Sequence, residues 1–285
     1  MSIDLHTHTL ASDGTTTPAQ NAALAAEAGL VGFALTDHDT LAGWDEAAHH
    51  CARLGLAFVP GVELSTEDAG ESVHVLGYWV HRDDTALQAE CDRLYAERFR
   101  RGGVIIGLLA GLGVGVEPAR VAAIAGTAPV GRPHIAQALV EAGHVETIDE
   151  AFVRYLADGG PAHVAKRAVS PEDGVRLIRG AGGVAVLAHP GLCHLDRPQT
   201  PSLVERLCAV GLAGVEAEHA GHGPEAVSYW RQVAVERDLL VTGSSDFHGT
   251  RKETKMGAST TPVVVVEALR ERADAAVAAG GRQPW

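Results

Sequence analysis

Short apolar runs that alternate with helical patterns constrain the fold of this chain more than any other feature of its sequence. Such runs occupy residues 32–36, 56–61 and 184–188, and helical periodicity adjoins each of them. Alternation of this kind implies parallel strands joined by helical crossovers. We identify seven strands, and 285 residues are enough for one large barrel. The sequence therefore predicts the α/β class and a seven-stranded barrel.

Helix boundaries support this reading at both ends of the chain. Thr17 is followed by Pro18, and Gln20 occupies the capping-box position, so a helix is predicted from there to Gly29. A last helix is predicted at about residues 263–279. These helices would cover the outside of a barrel.

The pattern changes between about residues 83 and 169, where helical periodicity and glycine-rich breaks replace the strands. Pro118 and Pro133 lie where helices should begin, and Gly143 lies where one should end. We interpret this region as an inserted helical domain. The predicted segments are the first part of the barrel at 1–82, the helical insertion at 83–169 and the second part of the barrel at 170–285.

Composition restricts the function classes. A formal net charge of −13 argues against a protein that holds long nucleic acid on a basic face, but it allows a small phosphorylated substrate. The apolar runs are too short and too often broken by glycine to span a membrane, and the first residues lack the layout of a signal peptide. The four cysteines show no paired spacing. We expect a cytoplasmic protein, and the sequence does not predict whether it self-associates.

Side chains that bind metals are concentrated where the predicted strands end. His6 and His8 are two residues apart, so in an extended backbone their imidazoles lie on the same side. Barrels of parallel strands keep their chemistry at the carboxyl ends of the strands. The residues at or just past such ends are His6, His8, His38, Glu63, His189, Asp246 and His248. His74 fits least well because it lies near the start of its run. The clustering predicts a metal site.

These residues carry a family resemblance. The motifs are, in chain order, His6-Thr7-His8, Thr36-Asp37-His38, Gly61-Val62-Glu63, His74, Ala188-His189-Pro190 and Ser245-Asp246-Phe247-His248. Together they resemble the motifs of the polymerase and histidinol phosphatase (PHP) family of metal-dependent phosphoesterases. The resemblance covers nearly the whole chain and implies a distorted (β/α)7 barrel. It is closest to the branch that acts on nucleoside monophosphates, 3′,5′-bisphosphates or short 5′-phosphorylated oligonucleotides.

The resemblance also implies a ligand set for two or three divalent metal ions. His6, His8, Glu63 and Asp246 would hold one ion. Glu63 would bridge to a second ion held by His74 and His189. Asp13, His38 and His248 would hold a third, although many members have a histidine at the position of Asp13. Mixed imidazole and carboxylate ligands suit Zn, Mn or Fe, and the residues do not select among them.

A centre with two or three such ions would favour one mechanism of phosphate ester hydrolysis. A hydroxide that bridges two of them would attack phosphorus in line, and no covalent enzyme intermediate is needed. The group of Asp13, His38 and His248 is expected to assist the leaving oxygen.

Substrate contacts are predicted from loops and helix starts. Arg132 and His134 begin a helix in the insertion, where a phosphate would be favoured; a surface arginine and a capping histidine are the alternatives. Lys166 lies in an irregular basic stretch whose alternative is a solvated loop. His222 lies in a glycine-flanked loop with His219, and we favour His222 as a substrate contact or proton donor.

Several functions remain open on the sequence alone. A phosphomonoesterase acting on nucleotides is the leading hypothesis because every ligand position is filled. A 5′-3′ exonuclease on short oligonucleotides would use the same metals. Histidinol phosphatase activity is less favoured because of the large insertion. An amidohydrolase-like enzyme would use a bridging lysine, whereas Glu63 occupies that role here. A regulatory barrel would be expected to have lost ligands, and none is missing.

Overall fold

The computed structural model describes residues 1–126, 130–165, 168–192 and 200–280. The chain divides into two compact units, one made of Met1–Cys91 and Val169–Trp285 and the other of Asp92–Ala168. The second unit overlaps the insertion predicted at residues 83–169. Whether that insertion is a domain in its own right stays a prediction.

Eight strands in the described ranges form one sheet. They are β1 (Ser2–Asp4), β2 (Gly32–Leu35), β3 (Ala57–Asp68), β4 (Glu71–Tyr78), β5 (Val184–Leu187), β6 (Gly214–His219), β7 (Leu240–Ser244) and β8 (Thr261–Pro262). Their order is β7-β6-β5-β4-β3-β2-β1-β8. The three strands β1 to β3 are parallel to one another, and so are β5 to β7. β4 is antiparallel to both of its neighbours, and β8 is antiparallel to β1.

The sheet nearly closes on itself just beyond β1 and β7. Thr7 and Phe247 form a parallel bridge, in which His8 N donates to Phe247 O at 2.8 Å and Phe247 N donates to His6 O at 3.3 Å. The predicted α/β barrel is therefore confirmed. The strand count differs from seven because β8 has only two residues and no apolar run that could reveal it.

The orientation of β4 differs from the parallel arrangement expected for all strands. Only Ala69 and Gly70 separate it from β3, and both have positive φ angles, 52° and 90°. Two-residue turns of this kind join antiparallel strands, because their twist matches that of the strands. A hairpin thus interrupts the β/α alternation.

Ten α-helices lie in the described ranges. They are α1 (Pro18–Glu27), α2 (Trp44–Leu54), α3 (Thr85–Gly111), α4 (Pro118–Ala125), α5 (Arg132–Glu141), α6 (Ile148–Ala151), α7 (Pro171–Gly180), α8 (Thr200–Ala209), α9 (Pro224–Glu236) and α10 (Val263–Gly280). The predicted cap of α1 is confirmed, since Thr17 Oγ1 accepts from Gln20 N and Gln20 Oε1 accepts from Thr17 N. No helix within these ranges has the length and apolar content that a bilayer crossing requires.

Each unit has its own apolar core. In the barrel, Leu5, Leu76 and Tyr78 are fully buried, and the Tyr78 hydroxyl donates to Leu5 O at 2.9 Å. In the second unit, Ile105 and Leu109 belong to a separate buried cluster on α3, α4 and α5. Each such aliphatic side chain contributes about 1.5–3 kcal/mol through burial. The Tyr78 hydrogen bond ties β4 to the residue that precedes His6.

Candidate metal centre

Glu63 lies at the centre of a buried cluster of histidines. Its side chain is 1% exposed, and its Oε2 lies 3.1 Å from His6 Nε2, 3.1 Å from His8 Nε2 and 3.0 Å from His38 Nδ1. His6 and His8 extend from the end of β1, and His38 follows β2. One carboxylate oxygen therefore meets three imidazoles that come from two neighbouring strands.

The other oxygen of Glu63 meets two more histidines. Oε1 lies 2.6 Å from His74 Nδ1 and 2.9 Å from His189 Nε2. His74 fitted the sequence pattern poorly because it lies near the start of its run. Since β4 is antiparallel to β3, the start of β4 lies beside the carboxyl end of β3, and His74 pairs in register with Ser65. The reversed strand explains its place in the cluster.

Asp246 presents its two carboxylate oxygens to different neighbours. It follows β7 with a φ of 53°. Its Oδ1 lies 3.6 Å from His6 Nε2, 3.3 Å from His8 Nε2 and 3.3 Å from His248 Nδ1. Its Oδ2 lies 2.5 Å from Lys252 Nζ. The inner oxygen therefore faces the histidines and the outer one is paired with a lysine.

Asp13 completes a third group. Its Oδ1 lies 3.3 Å from His248 Nε2 and 3.7 Å from His8 Nδ1, and its Oδ2 lies 3.8 Å from His38 Nε2. Asp37 holds this loop, because it accepts hydrogen bonds from Thr9 N at 2.8 Å and from the Ser12 hydroxyl at 2.5 Å. The short carboxylate of Asp13 thus reaches the cluster from a well-anchored turn.

The nine residues predicted as metal ligands all take part in these arrangements. In each of four groups, one ligand atom per residue lies within 4.8 Å of the others. The groups are His8, Asp13, His38 and His248; His6, Glu63 and His189; His6, His8 and Asp246; and His38, Glu63 and His74.

The donor atoms fit divalent cations. Within the described part of the chain, His6 Nε2 and His8 Nε2 are buried and make no hydrogen bond. Buried nitrogens normally have a hydrogen-bond partner, so exceptions require an explanation. Both lie about 3 Å from a carboxylate oxygen without hydrogen-bond geometry, as expected of atoms that share an ion. Imidazole and carboxylate together suit Zn, Mn or Fe.

The charges in this cluster are strongly coupled. Burial opposes a charge on His6, but Glu216, Glu63 and Asp246 overcome it and raise its pKa to about 10. Burial likewise opposes a charge on His8, yet Asp246 and Glu63 raise its pKa to about 9. The pKa of Glu63 is well below its usual value, because the surrounding histidines outweigh its burial. The carboxylate therefore remains ionised at neutral pH.

Glu216 is a site residue that sequence reasoning missed. It is fully buried in β6, and its carboxylate accepts from His6 Nδ1 at 3.1 Å, from His189 N at 2.8 Å and from the Ser244 hydroxyl. With Nδ1 donating to Glu216, the proton that His6 loses to a metal ion would come from Nε2, whose lone pair would then face an ion beside Glu63. A charged residue inside the apolar run at 214–217 was the available signal.

Arg132 and His134, the substrate contacts predicted in the insertion, both have partners within the second unit. Arg132 donates to Asp158 Oδ1 at 2.7 Å and to Leu156 O at 3.0 Å. His134 is buried, and its Nδ1 accepts from Gly131 N at 3.0 Å, which is the capping alternative. Lys166 lies outside the described residues. A substrate contact by any of the three stays a prediction.

His222 was predicted as a substrate contact or proton donor; a substrate contact by it stays a prediction, and its ring nitrogens argue against the donor role. Its Nδ1 lies 3.0 Å from Ala217 O and its Nε2 accepts from Gly191 N at 3.1 Å. Both nitrogens are thus engaged by the backbone, and the proton on Nδ1 is directed to Ala217 O and away from a substrate. Instead His219 reaches the centre. Its Nδ1 accepts from Gly221 N at 2.9 Å, and its Nε2 lies 3.4 Å from Asp246 Oδ2.

Comparison with known proteins agrees with this arrangement. A family model described as PHP domain matches residues 4–128. A 3′,5′-nucleoside bisphosphate phosphatase of Chromobacterium violaceum is 33% identical over 254 residues, with 86% of this chain and 87% of that protein covered. A 5′-3′ exoribonuclease of Haemophilus influenzae is 32% identical over 245 residues, with 86% and 89% covered.

Two further similarities extend the comparison. A phosphoribosyl 1,2-cyclic phosphate 1,2-diphosphodiesterase of Eggerthella lenta is 35% identical over 252 residues, with 86% of this chain and 94% of that protein covered. A crystal structure from Bifidobacterium adolescentis, described as a metal-dependent phosphoesterase, has a TM-score of 0.89 and 34% identity. The alignment covers 95% of this chain and 96% of the Bifidobacterium chain. Similarity over nearly full length therefore extends to several phosphoesterases.

Proposed function

Because the chain belongs to the PHP family of metal-dependent phosphoesterases, we propose that it hydrolyses phosphomonoesters of nucleotides. The substrates would be nucleoside monophosphates or 3′,5′-bisphosphates. The observation that carries the proposal is the carboxylate of Glu63, whose two oxygens lie within 3.1 Å of nitrogens from five histidines. A bridging carboxylate with imidazoles on both oxygens suits a site for adjacent cations.

The nine clustered side chains would hold two or three divalent ions, of which Zn, Mn and Fe match the donors. When bound, such ions lower the pKa of water and stabilise charge on phosphoryl oxygens. The chain's own contribution is orientation. Glu216 holds the proton on His6 Nδ1, and Asp246 O accepts from His248 Nδ1 at 2.8 Å, so the Nε2 lone pairs of both rings point into the cluster.

Asp13, His38 and His248 form the group to which we assign the leaving oxygen. The Asp13 carboxylate lies 3.3 Å from His248 Nε2 and 3.8 Å from His38 Nε2, and the group shares His8 with the rest of the centre. Asp13 stands where many family members have a histidine. Its carboxylate makes this group more anionic, which favours a harder cation. His222 is not assigned a part in this step, because its nitrogens are bound to the backbone.

A 5′-3′ exonuclease acting on short 5′-phosphorylated oligonucleotides is the second candidate. The exoribonuclease of Haemophilus influenzae supports it, with 32% identity over 245 residues. Both activities need the same metal centre, and they differ in the product that leaves. We also infer action in the cytoplasm, in keeping with the free thiols of Cys51, Cys91 and Cys208.

The test is a substrate panel with a matched pair of variants. Metal-loaded protein is incubated with nucleoside 5′-monophosphates, a 3′,5′-bisphosphate, histidinol phosphate, a cyclic phosphodiester and a 5′-phosphorylated trinucleotide, and released phosphate and mononucleotides are measured. Asp246→Asn should abolish turnover. Asp238→Asn is the control, because Asp238 also has a positive φ, 51°, and its side chain is 99% exposed.

The outcomes separate the candidates. Phosphate released from mononucleotides supports the phosphomonoesterase, and mononucleotides released from the trinucleotide support the exonuclease. Failure of the wild-type protein to act on any phosphorylated compound, with metal bound, would contradict both.

A further inference from the structure

Two cationic side chains directly follow the last ligand motif. They are Arg251, which ends the 3-10 turn Gly249–Arg251, and Lys252. The ammonium of Lys252 lies 2.5 Å from the outer oxygen of Asp246, and its side chain is 42% exposed. The amine therefore lies at an edge of the centre that solvent, and so a substrate, can reach.

Arg251 belongs to a turn that packs against the loop of Asp13 through Thr15. Its side chain is partly buried. Burial lowers the pKa of Arg251, and the negative charge of Asp13 opposes that shift. Its Nε is buried and makes no hydrogen bond within the described residues. A buried donor without an acceptor costs about 1–3 kcal/mol, so a movement of Arg251 that brings its guanidinium to an oxygen acceptor would be favoured.

The segment that carries both cations is firmly positioned. Thr250 N donates to Thr15 Oγ1 at 2.8 Å, and Thr15 N donates to His248 O at 3.2 Å. Gly249 has a φ of 69°, and a Cβ added there would lie 2.1 Å from Thr15 Oγ1. The turn is thus packed against the loop that bears Asp13, and a larger residue at its first position would be strained.

The charge of the loaded centre argues for an anion at this place. Three dications held by Asp13, Glu63 and Asp246 would leave a local charge of about +3. Two further cations beside that charge are unfavourable unless an anionic group joins them. A phosphoryl group supplies such an anion, and arginine and lysine are the side chains that bind it best.

We propose that Lys252 and Arg251 contact oxygens of the phosphoryl group that the centre hydrolyses, Lys252 on the side of Asp246 and Arg251 on the side of Asp13. This inference rests on the proposed function and adds two substrate-contacting residues to it. The competing explanation is that Lys252 serves only to hold Asp246 in place.

The experiment compares four variants of the metal-loaded protein. Lys252→Met and Arg251→Met remove the charges, Lys252→Arg restores one, and Lys255→Met is the control because Lys255 is an exposed lysine of the same loop. Three quantities are measured: bound metal per chain, the Kd of inorganic phosphate, and kcat/KM for a nucleoside monophosphate.

Lys252→Met and Arg251→Met should each lower kcat/KM and weaken phosphate binding about 10- to 100-fold, the usual range for one charge-assisted hydrogen bond, with unchanged metal content. Lys252→Arg should recover part of both losses, and Lys255→Met should stay within about twofold of wild type.

Two results would overturn the inference. One is wild-type phosphate affinity and kcat/KM in Lys252→Met and Arg251→Met. The other is loss of bound metal in Lys252→Met in proportion to its activity, because Lys252 would then act only through Asp246. If the wild-type protein hydrolyses no phosphomonoester, the proposed function fails, while the phosphate Kd still reports separately on the two cations.

Discussion

Replacing Glu216 by glutamine tests how hydrogen bonds from a residue outside the ligand set position the metal ligands. The carboxylate accepts from three donors, namely His6 Nδ1, His189 N and the Ser244 hydroxyl. A glutamine of the same size offers one accepting oxygen, and its amide nitrogen would face a donor. Glu216→Gln therefore keeps the volume and removes both the charge and part of the hydrogen bonding.

The magnitude follows from the pKa of Glu216. Burial alone would raise that pKa, but His6 outweighs it and lowers the value from 4.5 to about 2. This depression corresponds to about 3 kcal/mol of stability in the metal-free protein. The same Glu216–His6 interaction raises the pKa of His6, so its energy is not added a second time for the histidine. Because the folded pKa is depressed, the stabilisation is complete above pH 4.5 and is lost as the pH falls toward 2.

Urea unfolding of the chelator-treated protein measures this effect. Glu216→Gln should lower the free energy of unfolding by about 3 kcal/mol at pH 7, and the difference from wild type should narrow below pH 4.5. Metal affinity should also fall about 10- to 100-fold, because Glu216 orients a ligand histidine.

The control is Glu218→Gln, two residues along the same strand. Glu218 lies near the surface and pairs with Arg231, so its replacement should cost less than about 1 kcal/mol. Equal stability of Glu216→Gln and wild type, or a difference that does not shrink at low pH, would refute the reasoning.

Three other predictions follow from the same geometry. Metal uptake at pH 7.5 should release protons from His6 and His8, because their pKa values are about 10 and 9 without metal. The number of protons released should decline above pH 9. A binding enthalpy that does not depend on the ionisation enthalpy of the buffer would contradict this. Gly249→Ala should destabilise the protein by about 1–3 kcal/mol and reduce activity, because the new Cβ meets Thr15. Thermal unfolding measures the stability and kcat/KM the activity, and adding Thr15→Ala should recover part of each loss. Thr17→Ala should cost about 1 kcal/mol through the lost cap of α1 and leave kcat/KM within about twofold, and a larger loss of activity would be inconsistent.

The position of the site was predictable because it follows from the arrangement of the strands. Polar residues that come just after apolar runs, such as His38 and Glu63, must meet at one end of a barrel. His74 could not be placed in this way, because the turn at Ala69 and Gly70 reverses its strand and no apolar pattern shows the direction of a strand. The two-residue strand β8 was missed because it has no run to detect.

Supporting residues were harder to predict than the ligands themselves. Glu216 lies in the middle of a strand, and its role depends on two donors that are far from it in the sequence. These are the backbone nitrogen of His189 and the hydroxyl of Ser244. For His222, flanking glycines suggested an exposed ring. The structure instead shows that a glycine-rich loop brings backbone groups close enough to bind both nitrogens, and His219 is the ring that turns inward.

Anomalous diffraction from crystals of the metal-loaded protein tests the central claim most directly. The account predicts two or three anomalous peaks within the cluster. One should lie beside His6, His8 and Asp246, and one beside His74 and His189, which share Glu63 Oε1. A third is expected beside Asp13, His38 and His248. Each peak should lie about 2.0–2.3 Å from its nitrogen and oxygen ligands. A protein saturated with metal that shows no peak between these side chains would contradict it.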